Sequence, residues 1–154
     1  MMVRRLLLAA LAGVALAGSL AGCTVNTGYF TPTESVDAAK LAAPAAKAIA
    51  ADMTARVAEQ IGPPASSIAL RQDASPFGTA FEEGLRGHGY TIASEQKPGA
   101  SRLPVAYRIA DVNGSILVRV SLPTAELTRT YTISASGASP AGPLSVMPST
   151  KGEG

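Results

Sequence analysis

Asn113-Gly114, set between two runs of alternating apolar residues, constrains the fold of this chain more than any other feature. A two-residue hairpin loop of type I′ needs positive φ at both central positions, and Asn followed by Gly tolerates that best. With those two residues as the turn, Val105 opposes Leu122, Tyr107 opposes Val120, Ile109 opposes Val118 and Asp111 opposes Ile116. Three of the four pairs set apolar on apolar, so turn chemistry and hydrophobic pattern choose the same register independently. Pro123 interrupts the chain after the second strand. A third strand then runs from Glu126 to Ile133, with Leu127, Tyr131 and Ile133 on one face and Thr128, Thr130 and Thr132 on the other.

Upstream, the apolar period lengthens. Ile49, Met53, Val57 and Ile61 recur every fourth residue and predict a helix over 45–61, with Asp52, Arg56, Glu59 and Gln60 facing elsewhere. Gly62-Pro63-Pro64 stops it, because Gly suits the position after a helix and Pro cannot continue the hydrogen-bond ladder. A short strand over 67–72 follows, with Ile68 and Leu70 on one face. Ser75-Pro76 opens a second helix: Ser caps free amides, and Pro at the first position loses no hydrogen bond. Phe77, Phe81 and Leu85 form its stripe, Arg86 meets the negative end of the helix dipole, and Gly87-His88-Gly89 ends it before a strand at Tyr90-Thr91-Ile92.

The expected architecture is α+β, with two helices on one face of a small, mostly antiparallel sheet, in the order α-β-α-β-β-β-β. The division along the chain is a leader over 1–22, a linker over 23–45, the α+β domain over 46–135 and a Pro/Gly-rich tail over 136–154. The linker has no sustained period, though helix could begin near Val36. A three-stranded meander has at least one edge able to accept a strand from another chain. The Pro-rich segment after Ser134 could donate such a strand, pack on its own domain or remain without order.

Composition narrows the chemistry. With one Cys and one His in 154 residues, neither a Cys/His zinc cage nor an internal disulfide can be built. The +2 net charge comes from 13 Lys+Arg against 11 Asp+Glu, but Arg4 and Arg5 lie in the leader, and without them the charges cancel. Direct nucleic-acid binding is therefore not expected, since phosphate recognition needs a concentrated basic excess. No G-x-S-x-G elbow and no phosphate-binding loop occurs. His88 sits between two glycines at a helix end, where capping or exposure explains it. Glu82 and Glu83 are helix neighbours about 100° apart and would not share a substrate. Asp73, just ahead of Ser75-Pro76, suits helix capping. No catalytic residue, cofactor or metal is assigned, and an enzyme is not expected.

Met1 to Arg5 form a positive start, and Leu6 to Ala17 an apolar stretch shorter than the roughly 20 residues a spanning helix needs. Leu20-Ala21-Gly22 then sets small residues ahead of Cys23, the only thiol. This arrangement resembles the lipobox of bacterial lipoproteins, which implies cleavage after Gly22 and fatty acylation of Cys23. One acyl chain holds marginally and two or three hold firmly, so the expected attachment to membrane is through the N-terminal lipid. Thr24 in place of Asp favours the periplasmic face of the outer membrane over the inner membrane. Ordinary secretory cleavage near Ala21 is the alternative.

Three further stretches carry a family resemblance. They are Ala58-Glu59-Gln60-Ile61-Gly62-Pro63-Pro64-Ala65-Ser66-Ser67; Ser75-Pro76-Phe77-Gly78 with Leu85-Arg86-Gly87-His88-Gly89-Tyr90; and Ala138-Ser139-Pro140-Ala141-Gly142-Pro143-Leu144-Ser145. Together with the lipobox-like segment they resemble the TrbH family of conjugal-transfer lipoproteins. The resemblance implies a lipid-anchored structural part of a conjugative type IV secretion channel, acting through contacts with other channel subunits, with a homo-oligomer or ring as one arrangement. It implies no cofactor or active site. Where the family pattern has Trp before the Gly-Tyr pair, this chain has His88, a departure that points to packing more than chemistry at that position. The alternative function is a free-standing outer-membrane lipoprotein that binds peptidoglycan or another envelope component.

Overall fold

The computed structural model describes residues 34–93 and 102–149. Its elements are β1 (Val36–Asp37), α1 (Ala43–Ile61), β2 (Ser67–Leu70), α2 (Pro76–Gly87), β3 (Arg102–Val112), β4 (Ser115–Ser121), β5 (Ala125–Ser134), β6 (Gly137–Pro140) and β7 (Ser145–Pro148). The class is α+β, as the residue pattern predicts, with both helices on one face of a mostly antiparallel sheet.

At the centre of the sheet is the meander set by the Asn113-Gly114 turn. Both residues have positive φ, 54° and 81°. Tyr107 pairs with Val120, Ile109 with Val118 and Asp111 with Ile116, the expected register. β5 continues it through Val120 to Leu127 and Ile116 to Tyr131. Strand alternation thus turns Val105, Tyr107, Ile109, Ile116, Val118, Val120, Leu127 and Tyr131 toward the helices, and all are buried. Ile133 shares that face but is 41% exposed, because it lies at the end of β5 beyond most of the helix cover.

α1 begins two residues earlier than its apolar stripe predicts. Pro44 stands at its start with no side-chain cap, and Gly62 ends it at φ 73°, its N–H bonded to Ala58 O at 3.0 Å. Ile49, Met53 and Val57 are completely buried. α2 is capped as expected: Ser75 Oγ accepts from the Gly78 N–H at 3.0 Å. Phe77, Phe81 and Leu85 are completely buried, and the two Phe rings stack on each other and meet the edge of Tyr107. Burying each such side chain contributes about 1.5–3 kcal/mol, so this aromatic group is the main bond between α2 and the sheet.

The sheet departs from expectation at its margins. Tyr90-Thr91-Ile92 forms no strand, only a single parallel bridge from Ile92 to Ile68, because Tyr90 turns into the packing and donates its hydroxyl to Gly62 O. Helix beginning near Val36 is replaced by β1, which pairs parallel with β3 through Val36 to Arg108 and Asp37 to Ile109. β2 also pairs parallel with β3, at the other end, through Ser67–Leu70 to Arg102–Val105. Past Ser134, the Pro-rich segment forms β6 and β7, which run in one direction along β5. Two residues of slack separate their registers, as Tyr131 pairs with Pro140 and Thr128 with Ser145, so the pair amounts to one edge strand with a wide bulge at 141–144. Both margins of the meander are therefore occupied by short strands of the same chain. Pro140, Pro143 and Pro148 remove N–H donors from the outer one, which counts against strand addition there.

Candidate functional site

Leu20, Ala21, Gly22 and Cys23 lie outside the described residues. The other residues singled out by the sequence serve the fold. His88 is the C-terminal cap of α2; its backbone N–H donates to Gly84 O at 3.0 Å and Leu85 O at 3.2 Å, and its side chain is exposed rather than packed. Glu82 pairs with Arg86 one turn along the helix, and Glu83 is exposed.

Asp73 does more than cap a helix. Its Oδ1 accepts from the Tyr107 hydroxyl at 2.5 Å, from the Ser75 hydroxyl and from the Ser75 N–H at 3.3 Å; its Oδ2 accepts from the Asp37 N–H at 2.7 Å. One carboxylate thereby joins β1, the start of α2 and the centre of β3. Burial would raise the pKa of Asp73, but hydrogen bonds from Ser75, Tyr107 and the Asp37 and Ser75 amides outweigh it and hold the group below the usual carboxylate value. Burial, and then the bond to Asp73, push the Tyr107 phenol up, so it stays a protonated donor. Both Asp73 oxygens are committed to protein donors, which leaves no metal-ligating role. A carboxylate with a lowered folded pKa stabilises the fold above its unfolded value, and that stabilisation is lost as pH falls through the folded value. Wild-type thermal stability should therefore drop below about pH 4, and Asp73→Asn should flatten that drop. Superimposable acid melting curves for the two proteins would refute the assignment.

A second polar junction lies on a residue expected to face elsewhere. Asp52 of α1 turns to the sheet, where its Oδ2 accepts from Arg129 Nη1 at 2.8 Å and from the Tyr131 hydroxyl at 2.6 Å. Arg129 Nε also donates to Gly142 O at 3.1 Å and pins the bulge between β6 and β7. Arg129 shares a sheet face with Leu127 and Tyr131, and a lone cation in an apolar stripe is a sequence signal that a carboxylate sits opposite. Burial, followed by the Asp52 hydrogen bond and charge, raises the Tyr131 phenol as well, against a smaller opposing effect of Arg129 and Arg56.

One open groove, of about 230 Å³, lies where the C-terminal end of α1 meets the sheet; Ile61, Pro63, Tyr90 and Leu103 contribute to its walls. Tyr90 is its one titratable residue, and burial raises the pKa of that phenol. No general acid, base or nucleophile converges there. Among the described residues, no group of three or more His, Cys, Asp or Glu could hold a metal ion, and no helix is long and apolar enough to cross a membrane.

The face of the sheet turned away from the helices is the remaining broad surface. Across it, Val36, Arg108, Arg119 and Thr128 form one row, and Ala110, Leu117 and Thr130 another. Arg108 is exposed directly opposite Arg119, an arrangement of like charges that costs stability on its own. Arg119 is partly compensated, its Nε lying 3.0 Å from the buried carboxylate of Glu126. Such a surface suits contact rather than catalysis.

Comparison with known proteins agrees with that chemistry. The family described as conjugal transfer protein TrbH matches residues 25–150. A protein of Sinorhizobium fredii (strain NBRC 101917 / NGR234), named probable conjugal transfer protein TrbH, is 42% identical over 135 residues, covering 83% of this chain and 89% of its own length. No solved structure matches the chain. The match covers both helices, the meander and the bulged edge strand, and the chain belongs to the TrbH family of conjugal transfer proteins.

Proposed function

We propose that this protein is a lipid-anchored structural component of a conjugative type IV secretion channel and acts through protein contacts in the cell envelope. Family membership is the observation that carries this reading. Leu20-Ala21-Gly22-Cys23 supplies the anchor, with acyl chains on Cys23 holding the folded body at the periplasmic face of the outer membrane. The described polar clusters support a structural role, because Asp73, Tyr107, Asp52, Arg129 and Tyr131 are committed to holding elements together.

Deleting the gene should sharply reduce plasmid transfer, and the wild-type gene should restore it while Cys23→Ser does not. The expected gap between the two complemented strains is at least tenfold, because one acyl anchor already separates bound from free protein by several methylenes of about 0.8 kcal/mol each. Undiminished transfer in the deletion strain would overturn the reading. Co-purification of cell-wall fragments in place of channel subunits would shift it to the peptidoglycan-binding alternative. Intact mass of the native protein tests the anchor directly.

A further inference from the structure

We propose that the surface around β1, where the chain enters the folded body, rests on anionic phospholipid headgroups; the inference builds on the lipid-anchored reading above. Its starting point is the length of the tether. Order reaches back to residue 34, and Ser35 is already fixed, its Oγ accepting from the Tyr107 N–H at 3.0 Å. Between Cys23 and residue 34 stand ten residues, 24–33, which span at most about 35 Å when fully extended. A folded body of this size is itself about that wide. An acylated Cys23 would therefore keep the domain within roughly one diameter of the bilayer, and the side where the tether enters is the side drawn closest.

That side carries the right charge. Val36, 37% exposed, lies beside Arg108 in the parallel register of β1 and β3, and Arg108 lies opposite Arg119. Lys40 follows β1 at once, and the backbone N–H of Arg71 bonds to Val105 O on the same margin of β3. Lys40, Arg71, Arg108 and Arg119 are all exposed. The acids nearby are less available: Asp37 and Glu126 are buried, with Glu126 paired to Arg119, and Glu34 alone is exposed. A cross-strand arginine pair that costs stability in isolation is relieved when both charges meet a negatively charged surface. Because the Debye length is about 8 Å at physiological salt, only charges close to the contact count, and these encircle the entry point. The attraction is modest for a free protein. Tethering raises the local concentration of the surface to the millimolar range, so the same attraction suffices to set orientation.

The test uses the chain from residue 23 onward carrying Cys23→Ser, which contains every described residue and bears no acyl group. Its partition is measured on vesicles of phosphatidylcholine alone and of phosphatidylcholine with phosphatidylglycerol in equal parts. The expected result is salt-sensitive binding to the phosphatidylglycerol vesicles only, weakened about fivefold by Arg108→Gln and again by Lys40→Gln. Arg86→Gln, which removes a cation from α2, should change it little. Melting curves confirm that each variant is folded. Equal partition on both vesicles, or an equal loss from Arg86→Gln, overturns the proposal. So does an Arg108→Gln variant that loses a channel subunit while keeping its vesicle partition, since the surface then serves an acidic protein partner. Intact mass separates the two claims: acylated native protein with no preference for phosphatidylglycerol keeps the anchor and removes this surface, and unacylated native protein removes the anchor and the tether argument with it.

Discussion

Phe81→Ala should cost about 3–5 kcal/mol of folding stability, the range for deleting a large aromatic from a well-packed core. Phe81 is completely buried, its ring centroid 5.4 Å from that of Phe77 and 5.9 Å from that of Tyr107. Two neighbours limit the collapse that would refill the space. Phe77 is completely buried on the preceding turn, and Tyr107 is fixed by its hydrogen bond to Asp73. Domains of this size are stable by about 5–15 kcal/mol, so the variant should melt far earlier or fail to accumulate. Urea unfolding followed by circular dichroism measures the loss, and a change below about 1 kcal/mol would mean that α2 is held by something other than its aromatic face.

Gly78→Ala should be the second most damaging single change, although alanine ordinarily favours a helix by about 1 kcal/mol. A Cβ at residue 78 would lie 2.5 Å from Tyr107 Oη, 2.7 Å from the Asp73 carbonyl oxygen and 3.1 Å from Asp73 Oδ1. The backbone carbonyl cannot swing aside as the end of a long side chain can. Moving Tyr107 breaks its charge-assisted bond to Asp73, worth about 1.5–3 kcal/mol, in addition to about 1–3 kcal/mol for overpacking. With the helix preference deducted, the net expectation is a loss of about 2–4 kcal/mol. Gly87 in the same helix supplies the contrast. A Cβ there meets nothing within 4 Å, so Gly87→Ala should be neutral or stabilising by up to about 1 kcal/mol. Thermal melts of the two variants should move in opposite directions, and a matching shift would show that the close approach at Gly78 is not what excludes a side chain.

What the sequence makes legible follows from how local each determinant is. The hairpin register needs only the Asn113-Gly114 turn and the alternation on either side, and both lie within two dozen residues. Both helices carry their own stripes, and α2 carries its own cap. β1 is different. A two-residue strand has no period to detect, and Val36–Asp37 becomes a strand only because Arg108 and Ile109 are there to pair with it. The same holds for the segment after Ser134, where three prolines and the absence of a long apolar run read as a tail, yet β5 supplies partners for both halves. Asp52 is missed for another reason. Helical spacing assigns it to a polar face, and its inward turn depends on Arg129, distant in sequence and itself hidden in an apolar stripe. The lipobox-like segment is legible in the sequence alone. The surface around β1 is not, because it is assembled from residues near 36, 40, 71, 108 and 119.

The pairing of β1 with β3 also sets an order of events for a polypeptide that leaves the cytoplasm N-terminus first. Everything near residue 36 must wait for residue 109 to arrive before it can be locked, while β3, β4 and β5 close among themselves as they emerge. Maturation enzymes that act close to Cys23 thus meet an extended, unpaired substrate for most of translocation. Once the last strands have joined, the same stretch is held at its far end and the window for processing narrows.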